Sequence, residues 1–179
     1  MYINFWYAME EGKNLVVGEV VRLHRLNQDF VMWRSQSGEV HCLHDVCTHR
    51  GGSLGGGKIR DDCVQCPYHG WRFQGSGECV YIPSLGKDNQ RIPARTRVDS
   101  YPTKEHNGVV FAFLGDLPED ERPPLMHPGS NPGACDYQEG GWRSVALGWD
   151  VGSNYERCVE NGLDPAHNEF VHPSHGYGG

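Results

Sequence analysis

Cys47-Thr48-His49-Arg50-Gly51-Gly52 and Cys66-Pro67-Tyr68-His69-Gly70-Trp71 decide how the rest of this chain is read. Sixteen residues separate His49 from Cys66, and each segment pairs one Cys with one His close to glycine. Neither segment has the alternation of a strand, so each reads as a tight loop that needs glycine where the backbone turns back.

Outward from these loops the chain reads as short strands and turns. Val20-Val21-Arg22-Leu23 and Phe30-Val31-Met32-Trp33 flank Asn27-Gln28-Asp29, and Gln36-Ser37-Gly38-Glu39 leads into Val40-His41-Cys42-Leu43. Further strands are expected at 71–73, 79–81, 98–101 and 109–114. Gly75-Ser76-Gly77 separates the first two, and Asn107-Gly108 is a strong hairpin signal before the last. The pattern predicts an antiparallel β domain over residues 1–117. Pro118, Pro123, Pro124, Pro128 and Pro132 then mark 118–133 as an extended linker that cannot hold a helix. A further segment, 134–179, opens with a strand expected at 142–151 and continues with helix signals. Ser153-Asn154-Tyr155-Glu156 reads as a capping box and Gly162 as a left-handed helix end. Asp164-Pro165 reads as a second N-cap followed by Pro at the first helical position, with Pro173 ending that helix after about two turns.

Composition excludes several classes of function. The chain has 179 residues, 37% hydrophobic and 22% charged, which suits a globular protein. Its longest apolar run, residues 109–114, is far short of the roughly 20 residues that span a bilayer. Met1-Tyr2-Ile3-Asn4-Phe5-Trp6 carries no basic patch or apolar core of a secretory signal, so a cytoplasmic protein is expected. A formal charge of −7 argues against a nucleic-acid partner. Seven Cys and ten His in a reducing compartment suggest metal ligation before disulfides.

A mixed Cys/His pair on each of two loops can pinch a binuclear cluster from both sides. Cys47 and Cys66 would take one iron as thiolates, and His49 and His69 would take the other as neutral imidazoles, which removes negative charge and favours the reduced state. Zinc also accepts two Cys and two His, and Cys63-Val64-Gln65-Cys66 supplies a spare CxxC. Zinc knuckles usually group the two Cys together and the two His together, whereas here each loop contributes one of each.

A second grouping lies in Asn161-Gly162-Leu163-Asp164-Pro165-Ala166-His167-Asn168-Glu169-Phe170-Val171-His172. Two imidazoles close in sequence, joined by one carboxylate from elsewhere, form the facial triad of non-haem Fe(II) enzymes and leave positions open for dioxygen and substrate. Against this, Asp164 before Pro165 is a good N-cap without any metal. His167 and His172 also lie about 140° apart on an ideal helix, so both can ligate only where the helix unwinds. Glu160 and Glu169 read as solvated helix charges, and Cys42, Cys63, Cys79, Cys135 and Cys158 as small apolar residues in or beside the core.

Taken together, the two loops closing in His69-Gly70-Trp71 and the later Asn161-x-x-Asp164-x-x-His167-x-x-x-x-His172 resemble the large subunit of the Rieske non-haem iron oxygenases, the aromatic ring-hydroxylating enzymes. In Rieske proteins of respiratory complexes each loop carries an extra Cys and the two form a disulfide; Gly52 stands at one of those positions here. The resemblance implies a mainly β Rieske domain of antiparallel sheets with an inserted cluster-binding subdomain. The incomplete start of an α+β catalytic domain of helix-grip type is expected to follow. It implies a 2Fe–2S cluster on Cys47, His49, Cys66 and His69, with Arg50 and Trp71 helping to shield it. His167 and His172 would hold a mononuclear Fe(II), whose third ligand lies downstream. Asp164 would be the carboxylate that links the two metal sites across a subunit boundary, and Asn161 a neighbour of unassigned role. The expected function is a terminal oxygenase component that hydroxylates or demethylates an aromatic or cyclic substrate with O2. Electrons would come from NAD(P)H through a ferredoxin or flavin reductase, the whole protein would be a homotrimer, and the present chain alone is expected to be inactive. The alternative is a Rieske ferredoxin, an electron carrier with no catalysis of its own.

Overall fold

The computed structural model describes residues 2–88, 91–125 and 150–172. These fall into two compact units, one carrying the described residues up to 125 and the other residues 150–172.

The first unit is built of antiparallel strands in three sheets. The first sheet orders β1 (Phe5–Glu11), β11 (Val109–Leu114) and β10 (Thr103–His106). The second orders β2 (Val21–Arg25), β3 (Gln28–Arg34), β4 (Val40–His44) and β9 (Ser100–Tyr101). The third, smaller sheet follows chain order: β5 (Lys58–Arg60), β6 (Cys63–Gln65), β7 (Arg72–Phe73) and β8 (Cys79–Tyr81). It is inserted between β4 and β9 and carries the second Cys/His loop between β6 and β7, while the first loop runs from β4 to β5. The expected inserted subdomain is present.

Three hairpins close through two residues that both hold positive φ: Leu26-Asn27 between β2 and β3, Asp61-Asp62 between β5 and β6, and Asn107-Gly108 between β10 and β11. This turn twists in the same sense as its flanking strands, so it sets register tightly. The first of them corrects the expectation that placed the turn at residues 27–29. Gln28 and Asp29 are already strand, opposite Arg25 and His24. The strands expected at 109–114 and 79–81 stand at those residues. Strands β1, β5, β6 and β10 escaped the reading: β5 and β10 are short and charged, β6 has only three residues, and β1 ends in two glutamates.

β3 is buried on both faces, which explains its almost unbroken apolar run. Phe30 and Met32 pack with Met9, Leu23, Val110 and Leu114 in one core. Val31 and Trp33 point into a second core that holds Leu54, Val64 and Phe73 together with Cys47 and Cys66. The two loops therefore rest on a packed floor.

The described part of the expected linker is not wholly extended. Glu119–Glu121 form a 3-10 turn. The Trp6 indole N–H donates to the Pro123 carbonyl at 2.8 Å, and the Arg122 guanidinium lies 5.4 Å from the centre of the Phe113 ring. Proline forbids the donors of an α-helix but not one turn that begins after Pro118. Residues 126–133, Cys135, Pro173 and residues 142–149 of the strand expected at 142–151 lie outside the described residues, and Asp150 and Val151 are not strand.

The second unit holds α1 (Tyr155–Leu163) and α2 (Asn168–Val171). Asn154 rather than Ser153 caps α1, its side-chain oxygen accepting from the Glu156 N–H at 2.9 Å. Gly162 lies inside α1, and the chain leaves through Asp164 in extended conformation. Asp164 does not cap α2. It folds a local turn by accepting from the Ala166 N–H at 3.0 Å, and α2 begins after His167 and lasts one turn. Cys158 is exposed, not a core residue; Cys42 and Cys79 are buried as expected.

Candidate metal centre

The two Cys/His loops share one backbone plan. In the first, the Cys47 N–H donates to the Gly52 carbonyl at 2.9 Å and the Gly51 N–H donates back to the Cys47 carbonyl at 2.8 Å. In the second, Cys66 and Trp71 make the corresponding bond at 2.8 Å, and Gly70 and Cys66 at 3.0 Å. Each return bond comes from a glycine four residues after the Cys, and Gly51 and Gly70 hold φ of 69° and 72°. A β-carbon is strained in that conformation, which is why glycine stands there. The difference between Cys-x-His and Cys-x-x-His is absorbed inside otherwise equal loops.

The loops face each other. The Cys47 and Cys66 thiols adjoin, and the His49 and His69 rings lie 4.5 Å apart between centroids at 70°. A β-carbon added at Gly52 would stand 3.5 Å from the Cys66 sulfur. The position that respiratory Rieske proteins fill with Cys thus abuts the second loop. Trp71 stacks on His49 at 4.4 Å with only 7° between planes, and Tyr68 lies 4.0 Å from His69. Arg50 is exposed beside them.

The donor set suits a metal. Burial pushes the Cys47 thiol up to about 11, while the backbone N–H groups of His49 and Arg50 donate toward its sulfur and pull the other way. A buried pair of thiols becomes thiolate near neutral pH when a metal supplies the positive charge. Burial lowers the pKa of His49, and the neighbouring His69 ring and Arg50 guanidinium add to the shift, so its ring favours the neutral form that ligates metals. Its Nδ1 is buried with no hydrogen-bond partner among the described residues, an arrangement that a metal bond would satisfy.

Around the first loop lies a feature that motif reading missed. Asp45 is buried at the end of β4, two residues before Cys47, and accepts from the Ser53 hydroxyl at 2.6 Å and the Gly55 N–H at 2.5 Å. Its only signal in the sequence was a carboxylate following an apolar strand.

In the second unit, the structure brings together the residues singled out there. His167 and His172 flank α2 rather than lie on it, so the 140° separation of an ideal helix does not apply, and their rings stand 5.4 Å apart. Asp164 Oδ2 lies 3.5 Å from His167 Nδ1. A cavity of about 460 Å³ is lined by Asn161, Asp164, Pro165, His167 and His172, among others. Among the described residues no group of three or more His, Cys, Asp or Glu is set to hold a single metal ion.

Comparison with known proteins agrees with this geometry. Residues 5–102 match the family model of the Rieske [2Fe-2S] domain. The chain is 31% identical over its whole length to a cholesterol 7-desaturase of Ciona intestinalis, covering 36% of that protein. It is 33% identical to the 4β-methylsterol monooxygenase of Methylococcus capsulatus, over 94% of the chain and 44% of that protein. The crystal structure of dicamba monooxygenase bound to 3,6-dichlorosalicylic acid superposes with a TM-score of 0.76 at 29% identity, over 95% of this chain and 47% of that one. The chain thus spans less than half the length of these relatives, and another structure of dicamba monooxygenase carries non-haem iron. The matched family is one of 2Fe–2S proteins. On these grounds the chain belongs to the Rieske [2Fe-2S] domain family.

Proposed function

We propose that the whole protein is the terminal oxygenase component of a Rieske non-haem iron oxygenase. The observation that carries this reading is the presence of two separate donor groupings in one chain. A pure electron carrier has use for the first and none for Asp164, His167 and His172.

When bound, the 2Fe–2S cluster supplies one-electron transfer and the mononuclear Fe(II) supplies dioxygen activation. Cys47 and Cys66 hold one iron of the cluster as thiolates, and His49 and His69 hold the other through neutral imidazoles. Burial, with the Arg50 guanidinium nearby, keeps the His49 ring in the ligating form. The Trp71 ring stacked on His49 fixes the imidazole plane and keeps water from one face of it. His167 and His172 supply two of three ligands to the mononuclear iron. Asp164 is the linking carboxylate between metal sites of neighbouring subunits in a homotrimer.

Electrons enter from a separate cytoplasmic ferredoxin or flavin reductase that draws on NAD(P)H. The substrate is a small organic ring compound that is hydroxylated or demethylated. Domain limits follow from this assignment: residues 1–117 for the Rieske domain, 118–133 for the linker, and a catalytic domain from 134 onward.

The test is single turnover of the whole protein, pre-reduced and then exposed to O2 and substrate. Asp164→Ala is expected to retain both metals while product formation after reduction is lost. Normal single-turnover yield in that variant overturns the assignment of Asp164.

A further inference from the structure

We propose that Arg22 and Asp45 are positioning residues for the cluster, an ion pair that fixes where the first loop presents Cys47 and His49. The proposal rests on the ligand assignment above.

The Asp45 side chain is wholly buried, and among the described residues it is the one buried carboxylate. Three donors from two stretches of chain converge on it. The Ser53 hydroxyl and the Gly55 N–H come from the far end of the first loop, and Arg22 Nε reaches it from β2 at 2.9 Å. The Asp45 N–H itself donates to the Asp29 carbonyl of β3 at 3.0 Å. Asp45 therefore ties both ends of the loop to each other and to the sheet beneath.

Packing enforces the same arrangement. Leu54, between Ser53 and Gly55, is fully buried in the core that holds Cys47 and Cys66. The stem of Arg22 runs so close over Gly55 that an added β-carbon there would stand 2.7 Å from Arg22 Cβ. The guanidinium is held from its outer side by Asp29, whose carboxylate lies 3.4 Å from Nη2. The other Asp29 oxygen lies 2.9 Å from His24 Nδ1, and that hydrogen bond, with Arg22, holds the Asp29 carboxyl below its ordinary range.

Among the described residues, no hydrogen bond or ion pair joins the Asp45 side chain to a proposed ligand side chain. It acts through the loop, as groups outside the ligand shell of a metal site orient its ligands. Its charge also matters. A carboxylate neutralised by Arg22 leaves little net field at the cluster, so removal of either partner alone shifts the potential, and in opposite senses.

The experiment uses the chain purified with its cluster and compares Arg22→Met, Asp45→Asn and Ser53→Ala. Iron release to a chelator, the electron paramagnetic resonance spectrum of the reduced protein and its reduction potential are read for each, with circular dichroism to establish folding. Arg22→Met and Asp45→Asn are expected to release iron about tenfold faster or more, the usual scale for loss of a supporting group around a metal site. Both are expected to alter the spectrum, with the potential lower in Arg22→Met and higher in Asp45→Asn. Ser53→Ala keeps the ion pair and the fold, and is expected to speed release by a smaller factor; it carries the test alone if the other two fail to fold. A folded set of variants with wild-type release, spectrum and potential overturns the positioning role. Wild-type protein that holds neither iron nor sulfide overturns the ligand assignment instead.

Discussion

Truncation of Leu54 to alanine separates the support of the cluster from general stability. Leu54 has no exposed surface and sits among Cys47, Val64, Cys66 and Phe73. The substitution removes three carbon groups, worth about 2.4 kcal/mol at about 0.8 kcal/mol each. A residual cavity adds to this, because the strands and loops around it cannot collapse fully, and large-to-small changes of this kind cost roughly 2–5 kcal/mol. A loss of about 3 kcal/mol lowers Tm by roughly 10 °C in a domain of this size. Leu114→Ala serves as the matched control, since Leu114 is equally buried in the other core, away from the Cys/His loops. Both variants are expected to lose similar stability in thermal unfolding. Only Leu54→Ala is expected to speed cluster loss to a chelator, by about tenfold at a temperature where both remain folded. Equal rates of cluster loss in the two variants would refute the claim that this core is the floor of the metal centre.

Three further outcomes are expected. His69→Cys keeps a cluster but lowers its reduction potential, because thiolate adds negative charge where neutral imidazole stood; an unchanged potential in voltammetry would count against His69 as a ligand. Gly57→Ala destabilises the chain by about 2 kcal/mol or more, since the new β-carbon would stand 2.0 Å from the Gln65 carbonyl oxygen and 2.9 Å from that of Leu54; wild-type denaturant stability would show that the β5–β6 approach is looser than described. Burial holds His41 below its usual value of 6.5, so as pH falls the unfolded chain takes up a proton before the folded one does. The contribution of His41 to stability is therefore full above about pH 6.5 and declines below it, and His41→Gln removes that share of the acid loss in denaturation midpoints. An identical acid loss in wild type and variant would contradict the burial argument.

Much of the first unit was legible because its decisive residues act locally. Asn107-Gly108 names its own turn, and the apolar runs at 79–81 and 109–114 need no partner to be read as strands. The two Cys/His loops were legible for the same reason, since the chemistry sits within six residues of chain each. What escaped depends on distant partners. β5 and β6 have three residues each and become strands only by pairing across Asp61-Asp62. The convergence of Arg22, Ser53 and Gly55 on Asp45 joins residues far apart in the chain, and no spacing announces it. In the second unit the error was one of helix limits. Asp164 was read as a cap because it precedes proline, yet its carboxylate closes a turn of its own and leaves both histidines off the helix. That shift removes the angular objection to a shared metal.

Iron, acid-labile sulfide and zinc per chain, determined on protein purified without air, test the central claim most directly. The account predicts two irons and two sulfides at the Cys47, His49, Cys66 and His69 loops, with no zinc. Zinc without sulfide would contradict it.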